Sequence, residues 1–401
     1  MTPEGWLPPA FNGGWSYRDR IEAGASGRRV SAFYASRYRH SGQAEWLRRL
    51  GAGEIERNGQ RLQADGELEV GDRLVWHRPP WREEAVPARW AVLYDDGDLL
   101  VIDKPSGLPV LPAGGWLEHT VLRLLERRHQ GDSAGLPRPV HRLGRFTSGL
   151  LVCARRPASR AWLSRQLRQS TAGAPGAVAG LDRVGTAGLV AAAARADDSV
   201  IEAAGVPEAM PRAGDARGWA AGPQHDSPAV QSIPGCDGPG GGERTGSTAD
   251  HGCRKLYRAL LVPGGLALTV GESRPITTPI GRRDHPQLGQ IWCAADGSRP
   301  GDLAARSTLT LLERHARADL VQVAIASGRP HQIRIHCAAI GAPLLGDPLY
   351  RPGGLAAAAA RPGDGGYRLQ AWRLELARPG GERLMLEAPA ALGVWEAGDA
   401  R

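Results

Sequence analysis

The sequence predicts an α+β protein. Strand-like and helix-like segments follow one another without the regular alternation that a doubly wound parallel sheet requires. A helical pattern and a hairpin signal near the N-terminus stand apart from a later, strand-rich region. A long stretch, 171–250, is rich in Gly, Ala, Ser and Pro and interrupts that region.

The elements follow in order. After a Gly/Pro-rich lead, residues 15–83 read as a small α/β module. Ser41–Leu50 has helical spacing, with Trp46, Leu47 and Leu50 as its apolar face, Ser41 as N-cap and Gly51 as stop. The next piece alternates apolar and polar residues and turns at Asn58-Gly59, a hairpin signal. "PPWREEAVP" reads as a linker. "AVLYDDGDLLVIDKPSGLPVLP" opens a second domain with a buried strand, broken by Lys104-Pro105 and Gly107. A helix is expected over 116–130, a strand over Leu150–Cys153 and a helix over 158–170. Residues 171–250 bury too little apolar surface to offset their ordering entropy, and are expected to be a disordered insertion. "CRKLYRALLVPGG" resumes as a strand, and the C-terminal "YRLQAWRLELARPGGERLMLEAP" reads as two strands around a Pro-Gly-Gly turn.

Charge narrows the partners. The chain has 401 residues, with 50 Lys+Arg against 42 Asp+Glu and a formal net charge of +8. That balance suits a polyanion, of which a phosphate backbone is the commonest. Arginines 28, 29, 37, 39, 48 and 49 cluster in the first module, where they suit a phosphate backbone or simply a solvated surface. Lysine occurs only at 104 and 255. Cys153, Cys236, Cys253, Cys293 and Cys337 show no metal-knuckle or disulfide spacing, which fits a reducing compartment. With neither a secretion signal nor a run of ~20 apolar residues, a cytoplasmic protein without membrane association is expected.

Two basic turns carry the chemistry. "VHRLGRFTSGLLVCAR" (140–155) sets His141, Arg142 and Arg145 ahead of an apolar strand, and "SGRPHQIRIH" (327–336) opens a helix. Taken singly, the first suits an arginine cluster satisfying buried carbonyls, and the second suits packed histidines. His331 and His336 stand five apart, poor spacing for two metal ligands on one helix face.

Taken together and in order, the motifs resemble the RluA-type family of pseudouridine synthases, which isomerise uridine within RNA. "HRLGRFTSG" is similar to that family's signature, HRLDR-x-TSG followed by an apolar strand. "LLVIDKPSGLPV", "RKLYRALL", "SGRPHQIRIHCAAIGAPLLGDPLY" and "LQAWRLELARP" resemble its further motifs, and both lysines fall in them. The resemblance implies a pseudouridine synthase fold, a mixed and mainly antiparallel sheet with flanking helices, over 88–170 and 251–397. Residues 15–83 resemble the ribosomal-protein S-four-like RNA-binding domain. Tyr257 would stack on an extruded base. Arg334 would pair with the catalytic carboxylate, Arg142 would contact the RNA backbone, and Leu143 and Ile333 would shape an apolar pocket. Arg145, His331 and Gln332, with Arg39 and Arg48 of the first module, are the further RNA-binding candidates. The implied partner is rRNA or tRNA, bound by a monomer with no cofactor and no metal.

One position departs from the signature. Breaking a glycosidic bond develops positive character at C1′, so a carboxylate beside the sugar is the natural catalyst. The family places it between Leu143 and Arg145; here that residue is Gly144. Three readings compete. The acid comes from Asp103 or Asp347, although these suit a strand-end cap and a turn. Catalysis is lost and RNA binding kept. Or the fold serves an unrelated function.

Overall fold

A computed structural model describes residues 2–38, 40–169, 253–286, 289–360 and 364–389. The expected insertion at 171–250 lies outside these residues.

The N-terminal module is built from β1 (Trp15–Arg20), α1 (Val30–Arg37), α2 (Gln43–Gly51), β2 (Ile55–Arg57), β3 (Gln60–Arg61) and β4 (Arg73–Arg78). Its sheet runs β1-β4-β2-β3. Asn58 (φ 52°) and Gly59 (φ 85°) make the two-residue turn between β2 and β3, the left-handed geometry that a tight hairpin needs. Trp46 and Leu50, one helical turn apart on α2, are buried with Val30 and Tyr34 of α1. Leu47 was expected on that apolar face, but it points to solvent at 45 % exposure, rotated away from the Trp46–Leu50 stripe. The cap also differs: Gly42, not Ser41, precedes α2, and Gly51 is its last residue rather than the residue after it.

The expected linker is a clasp. Trp6–Leu7 pair with Val86–Pro87, and Ala10–Phe11 pair with Arg82–Glu83. Glu83 is 1 % exposed and accepts the backbone N–H groups of Leu117, Glu118 and His119, besides the Asn12 side-chain amide at 2.6 Å. Burial works against this carboxylate, but the convergent donors outweigh it and hold its pKa down.

The second region is a 10-stranded sheet. Its main strands are β5 (Ala91–Asp95), β6 (Leu99–Lys104), β7 (Thr147–Ala154), β8 (Cys253–Leu261), β9 (Ser273–Ile276), β12 (Ser307–Arg314), β13 (Asp319–Ile325) and β14 (Leu369–Ala377), and β15 (Arg383–Glu387) pairs with β14. A separate hairpin, β10 (Ile280–His285) and β11 (Gly289–Ala294), stands outside it. The order is β9-β12-β13-β8-β14-β7-β6-β5, and β7–β14 is the parallel pair, which makes the sheet mixed and mainly antiparallel, as expected. The single strand expected at 91–104 is a hairpin, because Asp96 accepts the Asp98 and Leu99 amides while Gly97 (φ 87°) turns the chain. Helices α3 (Val121–Arg128, capped by Thr120), α4 (Pro157–Gln169) and α5 (Gln332–Ala339) complete the α+β architecture.

Candidate active site

The sheet register draws the signature motifs into adjoining rows. Tyr257, Ala371, Gly149 and Lys104 form one row across β8, β14, β7 and β6; Ala259, Leu369 and Thr147 form the next. Paired residues share a face, so Tyr257 and Lys104 point to the same side. Tyr257 packs against two apolar clusters, one around Ile102, Leu151 and Val152, the other around Ala259, Val321 and Ile333. Burial pushes its phenol up to about 12, so it presents a neutral ring at pH 7.

Gly149 explains the glycine of the signature's Thr-Ser-Gly. Its φ is 95°, and a Cβ there would meet the Ala371 carbonyl oxygen at 2.2 Å. The parallel seam of β7 and β14 closes through that missing side chain.

The loop before β7 is held from beneath. Lys104, fully buried, donates to the carbonyls of Pro105 (2.9 Å), Leu108 (2.8 Å) and Arg145 (3.0 Å). Burial lowers its pKa to about 7 against the pull of Asp103. His141 Nε2 accepts the Val152 amide, which fixes a neutral ring. Arg145 donates from Nε to the Gly107 carbonyl and lies 4.3 Å over Trp116 and 4.9 Å over Phe146. Arg145 thus satisfies a buried carbonyl, the plainer of the two readings of a basic cluster. Leu143 is buried in the first apolar cluster, while Arg142 is exposed and its charge is felt at His331. Lys255 caps α4, donating to the Leu167 carbonyl, where a cation also suits the helix dipole.

Helix α5 places the third motif over the Tyr257 face, with Ile333 in the second cluster. Gln332 is 3 % exposed, and its amide is used internally: the oxygen accepts from Ser327 Oγ and the Arg329 amide, and the nitrogen faces Arg306 O and Ser307 Oγ. It organises the helix start and turns no polar atom to a ligand. His331 sits at φ 55° ahead of the helix. Tyr350 donates to the Trp292 carbonyl, so His331 Nδ1 donates to the Tyr350 hydroxyl at 2.7 Å.

Arg334 pairs with Asp347, one of the two carboxylates considered in place of an acid at 144. Its Nε and Nη2 each lie 2.7 Å from the Asp347 carboxylate, with the two side chains 3 % and 0 % exposed. Burial works against the Arg334 charge, but Asp347 outweighs it and raises the pKa. The same carboxylate accepts the Leu349 and Tyr350 amides, so it is committed to the fold. Asp103 alternates to the sheet face opposite Lys104 and Tyr257, and accepts from the Gly149 amide. Of the two alternative acids, Asp103 thus lies on the far sheet face and Asp347 is engaged by Arg334 and two amides.

Gly144 is exposed, and a Cβ on it would lie 2.4 Å from the Tyr367 hydroxyl oxygen and 3.2 Å from Thr147 Oγ1. Tyr367 is 4 % exposed, with the Arg334 guanidinium 4.2 Å over its ring and Phe146 edge-on at 5.9 Å. No sequence pattern marks Tyr367; it precedes β14 and meets Gly144 only in space.

In the first module, Arg48 lies on the exposed face of α2, ion-paired with Glu45. Arg28 and Arg29 bond to backbone carbonyls, Arg37 pairs with Asp19, and Arg49 stacks on Trp46 and Trp76. Arg39 lies outside the described residues. Among the described residues no group of three or more His, Cys, Asp and Glu is placed to hold a metal, and no helix is long and apolar enough to cross a membrane.

Burial sets the pH response. His141 and His331 are pushed down to about 3 and His336 to about 4. Unfolded imidazoles titrate near 6.5, so between about 6.5 and 4 the unfolded chain binds protons that the folded chain does not. Stability therefore falls as pH drops through that window, by up to about 1.4 kcal/mol per pH unit for each ring. Thermal melts from pH 7 to pH 5 should show a steadily falling midpoint; a flat midpoint would contradict buried neutral rings.

A family model described as RNA pseudouridylate synthase matches residues 98–173, from β6 to the end of α4. A Synechocystis protein named as an uncharacterized RNA pseudouridine synthase is 33% identical over 344 residues, 85% of this chain and 87% of its own length. RNA pseudouridine synthase 5 of Oryza sativa subsp. japonica is 32% identical over 86% of this chain and 73% of its own. Ribosomal large subunit pseudouridine synthase D of Nitrosomonas europaea is 26% identical over 76% of this chain and 63% of its own. The motifs that the sheet and α5 assemble around Tyr257 and Arg334, together with this coverage, make the chain a member of the RluA-type RNA pseudouridine synthase family, whose members are isomerases.

Proposed function

We propose that this chain turns over as it stands, isomerising uridine in structured RNA, ribosomal or transfer, with glycine at position 144. The arrangement around Tyr257 carries the reading. A neutral aromatic ring stands in one sheet row with Lys104, which fixes the signature loop, and packs in one apolar cluster with Ile333 and Tyr367. An extruded base needs such a ring to stack on and a cleft from which water is excluded. One relative's name refers to the large ribosomal subunit, which supports a structured substrate.

The roles divide accordingly. Tyr257 stacks on the base, and Leu143 and Ile333 line the apolar side. Arg142 meets the backbone and helps to displace the target. Arg334 is a positioning residue that clamps Tyr367 and Tyr350, and His331 and Gln332 set the start of α5. Arg145 shapes the signature loop through its paired bonds with Gly107 and adds positive charge there for RNA. Arg39 and Arg48 add phosphate contacts from the first module. The protein works as a monomer in the cytoplasm, with no metal or cofactor.

The test is to incubate the purified chain with unmodified rRNA and tRNA transcripts and quantify pseudouridine by mass spectrometry. Wild type should form product, and Tyr257→Ala should lose it by at least about 100-fold, because stacking contributes ~1–3 kcal/mol per base and also orients it. RNA affinity should fall as salt rises, through counterion release. RNA bound with no product from any transcript would instead favour a member that keeps binding and has lost catalysis.

A further inference from the structure

We propose that Tyr367 presents its hydroxyl oxygen to C1′ of the target uridine, in the place a side chain at 144 would fill. This rests on the isomerase reading above. The first atom of any side chain on Gly144 would meet Tyr367 Oη at 2.4 Å, so the hydroxyl already holds that space. It arrives from a distant segment but is fixed on several sides. Thr147 Oγ1 lies 3.4 Å from Oη, Phe146 packs edge-on, and Arg334 covers the ring. Arg334 is itself pinned by two 2.7 Å bonds to Asp347. A phenol clamped on its ring, with its oxygen lying against an exposed glycine, is pre-organised for a ligand beside residue 144.

The carboxylates of the motifs are otherwise engaged. Asp347 is bound by Arg334 and two amides, and Asp103 is on the opposite sheet face. Tyrosine is a known substitute for a carboxylate nucleophile in glycosidic chemistry.

The step balances without a co-reactant. Tyr367 Oη bonds to C1′ as the C1′–N1 bond breaks, its electron pair going to N1, and the phenol proton passes to N1. The uracil turns, and the C5 electron pair attacks C1′. The Oη–C1′ bond breaks as the C5–C1′ bond forms, its pair returning to Oη, and the C5 proton restores the phenol. N1 ends protonated, C5 is joined to C1′ and tyrosine is regenerated.

Single-turnover rates on a transcript that wild type modifies would test this. Tyr367→Phe keeps the ring and its packing and should lower kcat by at least about 100-fold, with RNA affinity and KM unchanged. Gly144→Asp alone should also be slow, because the carboxylate and the phenol contend for one space. The double variant Gly144→Asp/Tyr367→Phe should run at least about tenfold faster than Tyr367→Phe, because a carboxylate then stands where the hydroxyl was. A merely structural tyrosine would show no such rescue. Tyr367→Phe within threefold of wild type, or a double variant no faster than Tyr367→Phe, overturns the assignment while leaving the isomerase reading intact. A wild type with no product on any RNA overturns the isomerase reading and this one with it.

Discussion

Asp347→Asn should destabilise the chain by about 3–5 kcal/mol, the typical cost of breaking one half of a buried ion pair. The carboxylate is fully buried and takes two guanidinium and two amide hydrogen bonds. Asparagine offers one acceptor oxygen and turns an amide donor toward Arg334, leaving a guanidinium buried without its counter-charge. The damage should reach further than stability, because Arg334 covers both Tyr367 and Tyr350. An apolar pair, Arg334→Met with Asp347→Leu, removes both charges and should be milder for stability than Asp347→Asn, yet equally damaging to turnover. Denaturant unfolding and turnover on one RNA would separate the two effects. A loss below about 1 kcal/mol in Asp347→Asn would show that the pair contributes little.

Gly149→Ala should be nearly as severe, at about 3 kcal/mol or more. Alanine at φ 95° is strained in itself, typically by 1–3 kcal/mol, roughly the range for such backbone outliers. Its Cβ would also press on the Ala371 carbonyl at 2.2 Å, and a backbone atom cannot swing aside as a side-chain tip can. Relief requires parting β7 from β14, the seam that puts Gly149 in the row of Tyr257. Unfolding midpoints and the retained product yield would measure this. An alanine variant of wild-type stability would mean that the seam tolerates a side chain and that the glycine serves something else.

Local chemistry made much of the architecture legible. Asn58-Gly59 announced its hairpin because few other pairs enter the left-handed region twice in succession. Helix α4 and the final Pro-Gly-Gly hairpin followed from spacing and turn residues. Helix α1 was harder: Val30 and Tyr34 make a short stripe whose partners, Trp46 and Trp76, come from later elements. The clasp at 82–87 was hidden because Glu83 looks like surface charge until three amides from 117–119 converge on it.

The site divides along the same line. Tyr257, Arg334 and the signature loop were visible as ordered motifs. The partner of Arg334 stayed open, because position 144 carries no carboxylate and a motif does not say which other one reaches the guanidinium. Gly144 was visible as a gap, but not what fills it. Tyr367 stands 220 residues from Thr147 in sequence and within 3.4 Å of it in space, a relation made by the β7–β14 pairing. A glycine replacing a carboxylate reads as decay in one dimension; in three dimensions a second oxygen occupies its place.

The most direct test compares wild type with Gly144→Asp on the same unmodified transcript, counting pseudouridine per RNA in a single turnover. Wild type should form product and Gly144→Asp should react more slowly, because the added carboxylate collides with the Tyr367 hydroxyl. A silent wild type that gains activity through Gly144→Asp would contradict that expectation.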